Sequence, residues 1–222
     1  ADLSARAITA AGERTTFEVL CRGASLGEFT THLAGRHNVL NVLAATAAAL
    51  RKRIPVPLIR QAVACYTGTR RRFEIKAAFS HVRVIEDYAH HPTEIEAVIA
   101  ACRDRFSGSR VLVLFQPHRF SRTQYLYREF AKTLMRADRL VLTDVYSAFE
   151  NPIDGVSTRT IYEEAVKIDP DRVRLVQKAE IPGTLIRILG ERDIVLILGA
   201  GDINELTPAI ISAVQEWTGA CR

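Results

Sequence analysis

The chain has 222 residues and a net charge of +5, from 30 lysines and arginines against 25 aspartates and glutamates. No apolar run approaches the roughly 20 residues that a membrane-spanning helix needs, and no charged-then-apolar leader precedes the first predicted strand. The basic clusters lack the interleaved exposed aromatics that favour nucleic-acid binding. We therefore expect no membrane and no nucleic-acid partner, and attribute the positive charge to small anionic substrates.

The four cysteines have neither close pairs nor metal-like spacing. They are Cys21, Cys65, Cys102 and Cys221. Isolated cysteines of this kind are typical of reduced thiols. We therefore expect a cytoplasmic protein.

Residues 1–68 contain a predicted hairpin followed by two predicted helices. The patterns are a strand at 4–9, a turn at 11–13, a strand at 15–20, a helix at 37–50, and a helix after Pro57 that runs to about Cys65 and is closed by Gly68. A hairpin and two helices bury little apolar surface alone, and the first residue is Ala1 rather than methionine. We expect this part to be the end of a larger domain.

Residues 69–222 alternate between strand and helix patterns with short loops. The predicted strands lie near 73–79, 82–86, 110–115, 138–143, 172–176 and 193–198. The predicted helices lie near 92–105, 122–135, 157–167, 180–189 and 203–217. This alternation predicts an α/β fold, a Rossmann-like and mostly parallel sheet with flanking helices.

The segment FQPHRFSRT (115–123) follows the apolar run Val111–Leu114, which is typical of a buried parallel strand. Open α/β sheets bind their ligands at the carboxyl ends of such strands. Arg119 and Arg122 offer forked donors that match a carboxylate or a phosphate. An ordinary solvated turn with two surface arginines would have the same spacing, so both interpretations stand on this segment alone.

A second polar segment, EDYAHHPTE (86–94), follows the strand-like alternation of His81–Ile85 and opens a helix at Pro92. The adjacent His90 and His91 cannot both face one metal from a regular strand, which argues against zinc. A structural turn remains an alternative. A strand-end loop that binds an anionic substrate is the interpretation we favour.

These segments, together with TGTRRRFE (67–74), GRHNVLN (35–41), DVYSAFENPIDGV (144–156) and LGAGDI (198–203), occur in the order seen in Mur ligases, and the chain resembles that family along nearly its whole length. The resemblance implies that residues 1–68 are the C-terminal part of a central ATP-binding domain. It implies that residues 69–222 are a C-terminal amino-acid-binding domain.

The resemblance also implies a reaction, ATP-driven addition of L-alanine to UDP-N-acetylmuramate through an acyl phosphate, a step of peptidoglycan synthesis that supports cell shape and division. The implied small-molecule partners are L-alanine, UDP-N-acetylmuramate and ATP, with Mg²⁺ held mainly by residues outside this chain. The implied protein partners are N-terminal and central domains of the same protein. We expect no metal site within the chain.

Site residues follow from the same resemblance. Those implied for the incoming amino acid are Tyr88, His90, His91, His118, Arg119, Arg122 and Tyr146. Those implied for ATP are His37, Asn41, Arg72 and Asp87. Without the resemblance, Asn41 would be interpreted as a helix-packing or capping amide and Arg72 as part of a surface ion pair.

The chain departs from the family pattern at several points. It has no G-x-x-x-x-G-K-S/T loop to cradle ATP phosphates, so we expect the chain alone to be inactive. Phe149 stands where a glycine is expected, and Glu86 replaces a usual aspartate. The turn after Leu198 lacks the third glycine of a dinucleotide fingerprint, which argues against an oxidoreductase, and the resemblance implies that this turn shapes the edge of the sheet.

Two alternatives remain open at this point. One is a ligase that recycles murein tripeptide, which shares the histidine pair. The other is a stand-alone binding module without catalysis.

Overall fold

The computed structural model describes residues 2–11, 14–80 and 82–220. The chain divides into two compact units, residues 1–70 with 100–107, and residues 71–99 with 108–222. Within the described ranges, no helix is long and apolar enough to cross a bilayer.

The first unit is an antiparallel three-stranded sheet followed by two helices. Its elements are β1 (Leu3–Ala11), β2 (Arg14–Cys21), β3 (Ala24–Thr31), α1 (Arg36–Arg51) and α2 (Val56–Cys65). The predicted hairpin is confirmed by the pairing of β1 with β2, while its turn residues Gly12 and Glu13 lie outside the described residues. The third strand was not predicted separately, because a register shift and Gly27 at φ +92° disturb its alternation.

One apolar cluster holds the first unit together. Phe17, Val19 and Phe29 from the sheet pack in one cluster with side chains of α1 and α2, among them Val42 and Ile59. The three sheet residues are at most 1% exposed. Alternate residues of a strand point to the same face, so β2 places Phe17 and Val19 together on the helix-covered side.

The second unit is a six-stranded sheet with helices in its connections. Its elements are β4 (Glu74–Phe79), β5 (Val82–Asp87), the first part of α3 (Pro92–Arg105), β6 (Arg110–Phe115), α4 (Phe120–Leu134), β7 (Arg139–Leu142), α5 (Thr158–Ile168), β8 (Val173–Leu175), α6 (Ile181–Ile188), β9 (Asp193–Leu198) and α7 (Thr207–Ala220). The predicted α/β fold is confirmed, since every strand pair is parallel except β4 with β5. His81, the first residue of the predicted alternation before β5, lies outside the described residues.

The spatial order of the strands is β4-β5-β9-β6-β7-β8. The last strand in the sequence, β9, therefore lies in the middle of the sheet, and all six of its residues are buried. The turn after Leu198 was expected to shape the edge of the sheet, but it follows a strand inside the sheet and not a lateral edge strand. Sequence order does not give spatial order when helical crossovers link the strands.

The carboxyl ends of β5, β9, β6 and β7 consequently lie side by side. Cross-strand pairs bring Asp87 and Phe115 beside Leu198 from opposite sides, and Phe115 beside Leu142. The loops that follow these four strands emerge at one edge, and they contain both segments singled out in the sequence.

Cysteine placement is as follows. Cys21 and Cys65 are free thiols, Cys102 is buried, and Cys221 lies outside the described residues.

Candidate functional site

Backbone hydrogen bonds tie the loop after β6 to the loop after β7. The Arg119 N–H donates to the Tyr146 carbonyl at 2.8 Å, and the Tyr146 N–H donates to the Pro117 carbonyl at 2.9 Å. His118 and Tyr146 form an isolated parallel bridge. Parallel pairing thus continues past the ends of both strands, which fixes where His118 and Tyr146 stand relative to one another.

Four aromatic rings form a chain across the loops after β5, β6 and β7. The ring centroids of Tyr88 and His90 lie 5.3 Å apart, those of His90 and His118 lie 5.6 Å apart, and those of His118 and Tyr146 lie 5.6 Å apart. Such distances are typical of packed aromatic pairs. The structure therefore brings together four of the residues predicted for the amino acid.

The His118 ring is flanked by a cation on its own helix turn. Arg122 Nη1 donates to His118 Nδ1 and to the His118 carbonyl, each at 3.3 Å. Burial lowers the pKa of the His118 imidazole, and the positive charge of Arg122 lowers it further. An imidazole in this setting is neutral at pH 7.

The His90 ring has a different setting. Its Nδ1–H donates to the Tyr88 carbonyl at 2.9 Å, and Glu94 Oε2 lies 3.5 Å from the same nitrogen. Burial works to raise the pKa of Glu94, but donation from the N–H groups of His90 and His91 outweighs it, and the pKa lies below its usual value. A charged carboxylate therefore backs His90.

His91 is exposed, and its Nδ1 accepts from the Thr93 N–H at 3.3 Å in the first turn of α3. The adjacent histidines thus have different surroundings. His90 enters the chain of rings, and His91 caps the start of a helix.

Glu150 joins the same two loops through its side chain, and sequence analysis missed it. Its carboxylate accepts from the Ser121 N–H at 3.0 Å and from the Ser121 hydroxyl at 2.7 Å, and it lies 3.7 Å from Arg119 Nη1. The hydrogen bond from the Ser121 hydroxyl contributes most to lowering the pKa of Glu150. Arg119 is the N-cap of α4, and its side chain does not cap the helix. A helix start without a local capping side chain needs a partner from elsewhere in the chain, and this was the indication in the sequence that could have pointed to Glu150.

The backbone of both loops is strained where they meet. Arg119 has φ +75°, Ala148 φ +50° and Phe149 φ +69°. These left-handed conformations are costly for residues with a Cβ and cluster at functional sites. The Phe149 side chain is fully exposed, at 103%.

The glycine turn after β9 packs against the Tyr146 ring. Gln116 is buried, its Nε2 donates to Asp202 Oδ1 at 2.7 Å, and its Oε1 accepts from the Ile203 N–H at 3.0 Å. Lys178 Nζ donates to the other oxygen of Asp202 at 2.5 Å. The buried amide thereby fixes the turn that contains Gly201.

Arg71 holds this turn from the opposite side, and it too was missed. Its Nη2 donates to the Gly199 carbonyl at 2.6 Å and to the Gly201 carbonyl at 3.2 Å, and its Nε lies 3.0 Å from the buried Glu86. The guanidinium also lies 4.9 Å from the centre of the Tyr88 ring. The run of three arginines in the sequence does not indicate which of them forms these hydrogen bonds and the ion pair.

The residues predicted for ATP fall in both units. In the second unit, the exposed Arg72 places its guanidinium 5.7 Å from the Tyr88 ring centre, and the buried Asp87 accepts from the N–H groups of Phe73 and Ala89, each at 2.7 Å. In the first unit, His37 and Asn41 are exposed on α1, and Asn41 Nδ2 donates to Asn38 Oδ1 at 3.1 Å.

Two arginines and a histidine supply hydrogen-bond donors at the ends of the strands. Arg119 and Arg122 carry permanent positive charge, and the neutral His118 offers an N–H. Arginine and N–H donors of this kind match an anion, above all a planar carboxylate. Among residues 2–11, 14–80 and 82–220, no group of three histidine, cysteine or acidic side chains could hold a metal ion.

The sequence profile described as "Mur ligase, glutamate ligase domain" matches residues 71–201, which is more than half of the chain. The chain belongs to the Mur ligase family. The resemblance inferred from the motifs is therefore confirmed.

Individual Mur ligases match beyond that profile. The UDP-N-acetylmuramate–L-alanine ligase of Salinibacter ruber is 43% identical over 209 residues, which is 94% of this chain and 44% of that protein. The enzyme of the same name from Trichlorobacter lovleyi is 41% identical over 212 residues, 95% of this chain and 46% of that protein. The crystal structure of UDP-N-acetylmuramate–alanine ligase from Thermotoga maritima aligns with a TM-score of 0.81 at 26% identity, covering 97% of this chain and 46% of that chain.

The chain thus spans less than half of the length of these Mur ligase relatives.

Proposed function

We propose that this chain is part of an ATP-dependent Mur ligase that joins L-alanine to UDP-N-acetylmuramate in the cytoplasm. The observation that carries the proposal is the donor cluster of His118, Arg119 and Arg122 beside a chain of four aromatic rings. The similarity to proteins named UDP-N-acetylmuramate–L-alanine ligase supports the choice of substrates.

The donor cluster would hold the carboxylate of the incoming amino acid. Arg119 and Arg122 provide forked donors and His118 a single N–H. Hydrogen bonds to charged groups are worth about 1.5–3 kcal/mol each. Loss of either arginine is therefore expected to weaken binding roughly tenfold or more.

The rings would limit the space for the substrate side chain. Tyr88 and Tyr146 stand at the two ends of the chain of rings, with His90 and His118 between them. His91 would line the same pocket from the start of α3. A pocket walled by large rings favours a methyl group over a longer side chain.

Residues predicted for ATP would have separate roles. In the second unit, Arg72 would face the phosphates and Asp87 would accept from ribose hydroxyls. In the first unit, Asn41 would contact adenine, and His37 lies four residues before it on α1. On this proposal residues 1–68 are the end of an ATP-binding domain, and residues 69–222 form the amino-acid-binding domain.

The reaction would proceed in two steps. A carboxylate oxygen of UDP-N-acetylmuramate attacks the γ-phosphorus of ATP, and ADP leaves. The amine of L-alanine then attacks the acyl carbon, and phosphate leaves. Positioning and charge stabilisation are the main contributions of a protein to such chemistry.

Magnesium is the ion that the family implies, but the described residues provide no metal-ligand cluster for it. No step is therefore assigned to Mg²⁺ within this chain. Its ligands, like the phosphate-cradling loop, would belong to other parts of the protein.

The experiment compares the 222-residue chain with a longer reading frame that supplies the upstream domains. We expect the longer protein to release ADP over many turnovers only when L-alanine and UDP-N-acetylmuramate are both present, and to form the amide seen by mass spectrometry. We expect neither ADP nor amide from the chain alone.

Three outcomes would contradict the proposal. Turnover by the chain alone would contradict the assignment of ATP chemistry to missing domains. Use of murein tripeptide in place of L-alanine would favour the recycling ligase. Binding without any turnover in the longer protein would favour a non-catalytic module.

A further inference from the structure

His90 and His118 are adjacent rings whose hydrogen bonds fix opposite proton positions. A carbonyl oxygen only accepts, so the contact of His90 Nδ1 with the Tyr88 carbonyl at 2.9 Å places a hydrogen on that nitrogen. An arginine only donates, so the contact of Arg122 with His118 Nδ1 at 3.3 Å leaves that nitrogen bare. The neutral rings are therefore different tautomers.

The remaining nitrogens have opposite chemistry as a consequence. His118 carries its hydrogen on Nε2, which makes Nε2 a donor. His90 has a bare Nε2, which makes it an acceptor. The hydrogen bonds that fix the two rings use their Nδ1 atoms and leave both Nε2 atoms for a ligand.

The electrostatic settings of the two rings reinforce this difference. Arg122 and Arg119 face His118 and oppose its protonation, and Glu150 is the acidic group that opposes them. His90 instead has Glu94 Oε2 at 3.5 Å from its proton-bearing Nδ1, with Tyr88 and His118 as its neighbouring rings. The positive charge of Arg72 also lowers the pKa of Glu94. A carboxylate behind a histidine fixes its tautomer and the orientation of its ring.

We infer that this histidine pair is complementary to the two ends of an α-amino acid, with His118 Nε2–H donating to its carboxylate and His90 Nε2 accepting the proton of its ammonium group. The inference rests on the proposed function. It goes further in giving the two histidines separate roles and in making His90 the catalytic base.

The proton balance is simple. An ammonium nitrogen has no lone pair and cannot attack an acyl phosphate. When the ammonium proton forms a bond to His90 Nε2, the N–H electron pair stays on the amine, and that pair attacks the acyl carbon. The bond from the acyl carbon to the phosphate oxygen then breaks, and the departing phosphate takes the second proton of the attacking nitrogen, which leaves the amide N–H and hydrogen phosphate. The imidazolium then keeps its Nδ1–H on the Tyr88 carbonyl beside Glu94, and it later returns the new proton to water.

The first experiment uses the 222-residue chain with nitrogen-15 histidine, whose six histidines can be resolved in long-range proton–nitrogen spectra. We expect His90 with its hydrogen on Nδ1 and His118 with its hydrogen on Nε2. The probes are L-alanine, propionate, which has only the carboxylate, and alaninamide, which has only the amine. Propionate should shift His118 Nε2 alone, alaninamide should shift His90 Nε2 alone, and L-alanine should shift both.

The second experiment uses the longer ligase with His90→Gln. The glutamine oxygen can accept from the ammonium group at the position of Nε2 but cannot take its proton. We expect the KM for L-alanine to stay within about threefold and kcat to fall about a hundredfold or more, the usual range for a lost general base. His32→Gln, in the first unit and outside the proposed site, is the matched control and should change neither constant.

The outcomes separate this inference from the proposed function. An L-alanine response with the hydrogen of His90 on Nε2, or a His90→Gln enzyme with full kcat, would overturn the inference and leave the function standing. The expected tautomers with a response to murein tripeptide and none to L-alanine would overturn the substrate and leave the histidine pair standing. No response to any probe would overturn both.

Discussion

The ring of Tyr146 lies against Gly201 so closely that a Cβ atom at position 201 would come 2.5 Å from the Cγ of the ring and 2.5 Å from Oε1 of Gln116. The backbone of the glycine turn after β9 therefore packs directly against the Tyr146 ring of the loop after β7. The position of Tyr146 depends on this close approach.

Gly201→Ala is expected to destabilise the second unit by about 1–3 kcal/mol, the usual range for overpacking. The displaced Tyr146 ring should also disturb its stacking on His118. Thermal unfolding measures the first effect, and the L-alanine response of His118 in nitrogen-15 spectra measures the second. Gly219→Ala is the matched control, since a Cβ there meets nothing within 4 Å, and it should leave stability unchanged or slightly raised. Equal effects of the two variants would contradict the prediction.

Arg71→Ala is expected to be far more damaging than loss of a surface arginine or lysine. It removes the ties to two turn carbonyls and leaves Glu86, which is 4% exposed, without its cation. Breaking such a buried pair costs about 3–5 kcal/mol. Denaturant unfolding of Arg71→Ala, Glu86→Gln and the double variant measures the coupling.

The control for this series is Lys167→Ala, which removes an exposed ion pair with Glu164. Its cost should stay below about 1 kcal/mol. The interpretation fails if Glu86→Gln does not recover part of the loss caused by Arg71→Ala.

Phe149→Gly is expected to raise stability. The residue has φ +69° and a fully exposed side chain, so glycine relieves strain without losing packing. A left-handed residue costs about 1–2 kcal/mol, and the extra freedom of glycine in the unfolded chain offsets about 0.5–1 kcal/mol of the gain. A net gain near 1 kcal/mol would raise Tm by roughly 2–4 °C.

Tyr125→Ala is the control that tests whether removing an exposed aromatic ring is enough by itself to raise stability. Tyr125 is 78% exposed within α4, and its replacement should change stability by less than about 0.5 kcal/mol. A Tm for Phe149→Gly at or below that of the parent chain would contradict the strain assigned to position 149.

The lowered pKa of His118 predicts a loss of stability on mild acidification. Above the unfolded-state pKa of about 6.5, the ring is neutral in both states and contributes no pH dependence. As the pH falls below that value, the unfolded chain binds the proton first, so stability decreases until the folded-state pKa is passed. Thermal unfolding between pH 5 and 7.5 should show a shallower slope for His118→Gln than for the parent chain. Parallel slopes would contradict the neutral His118.

The strand and helix order of the second unit was predictable because its buried strands are unbroken apolar runs and its helices follow at regular intervals. The strand-end position of His118 followed from the same pattern. Nothing in the pattern placed β9 between β5 and β6, because a crossover can deliver a strand to either side of its predecessor.

The sequence predicted several residues that the structure brings together, but not the residues that support them, and the binding roles of the predicted residues stay predictions. Resemblance named the rings and the arginines, and the structure gathers Tyr88, His90, His118 and Tyr146 into one chain. Glu150 and Arg71 were not predicted, because each forms its side-chain hydrogen bonds with residues that are distant in the sequence. Arg71 reaches a carbonyl 128 positions away.

The central position of β9 also affects how the chain can fold during its synthesis on the ribosome. Until the residues from Asp193 onward have been made, β5 and β6 lack the strand that lies between them, and each presents an unpaired edge. The sheet of the second unit can close only when synthesis is almost finished. We therefore expect premature termination before β9 to yield aggregating or degraded chains rather than a smaller folded domain.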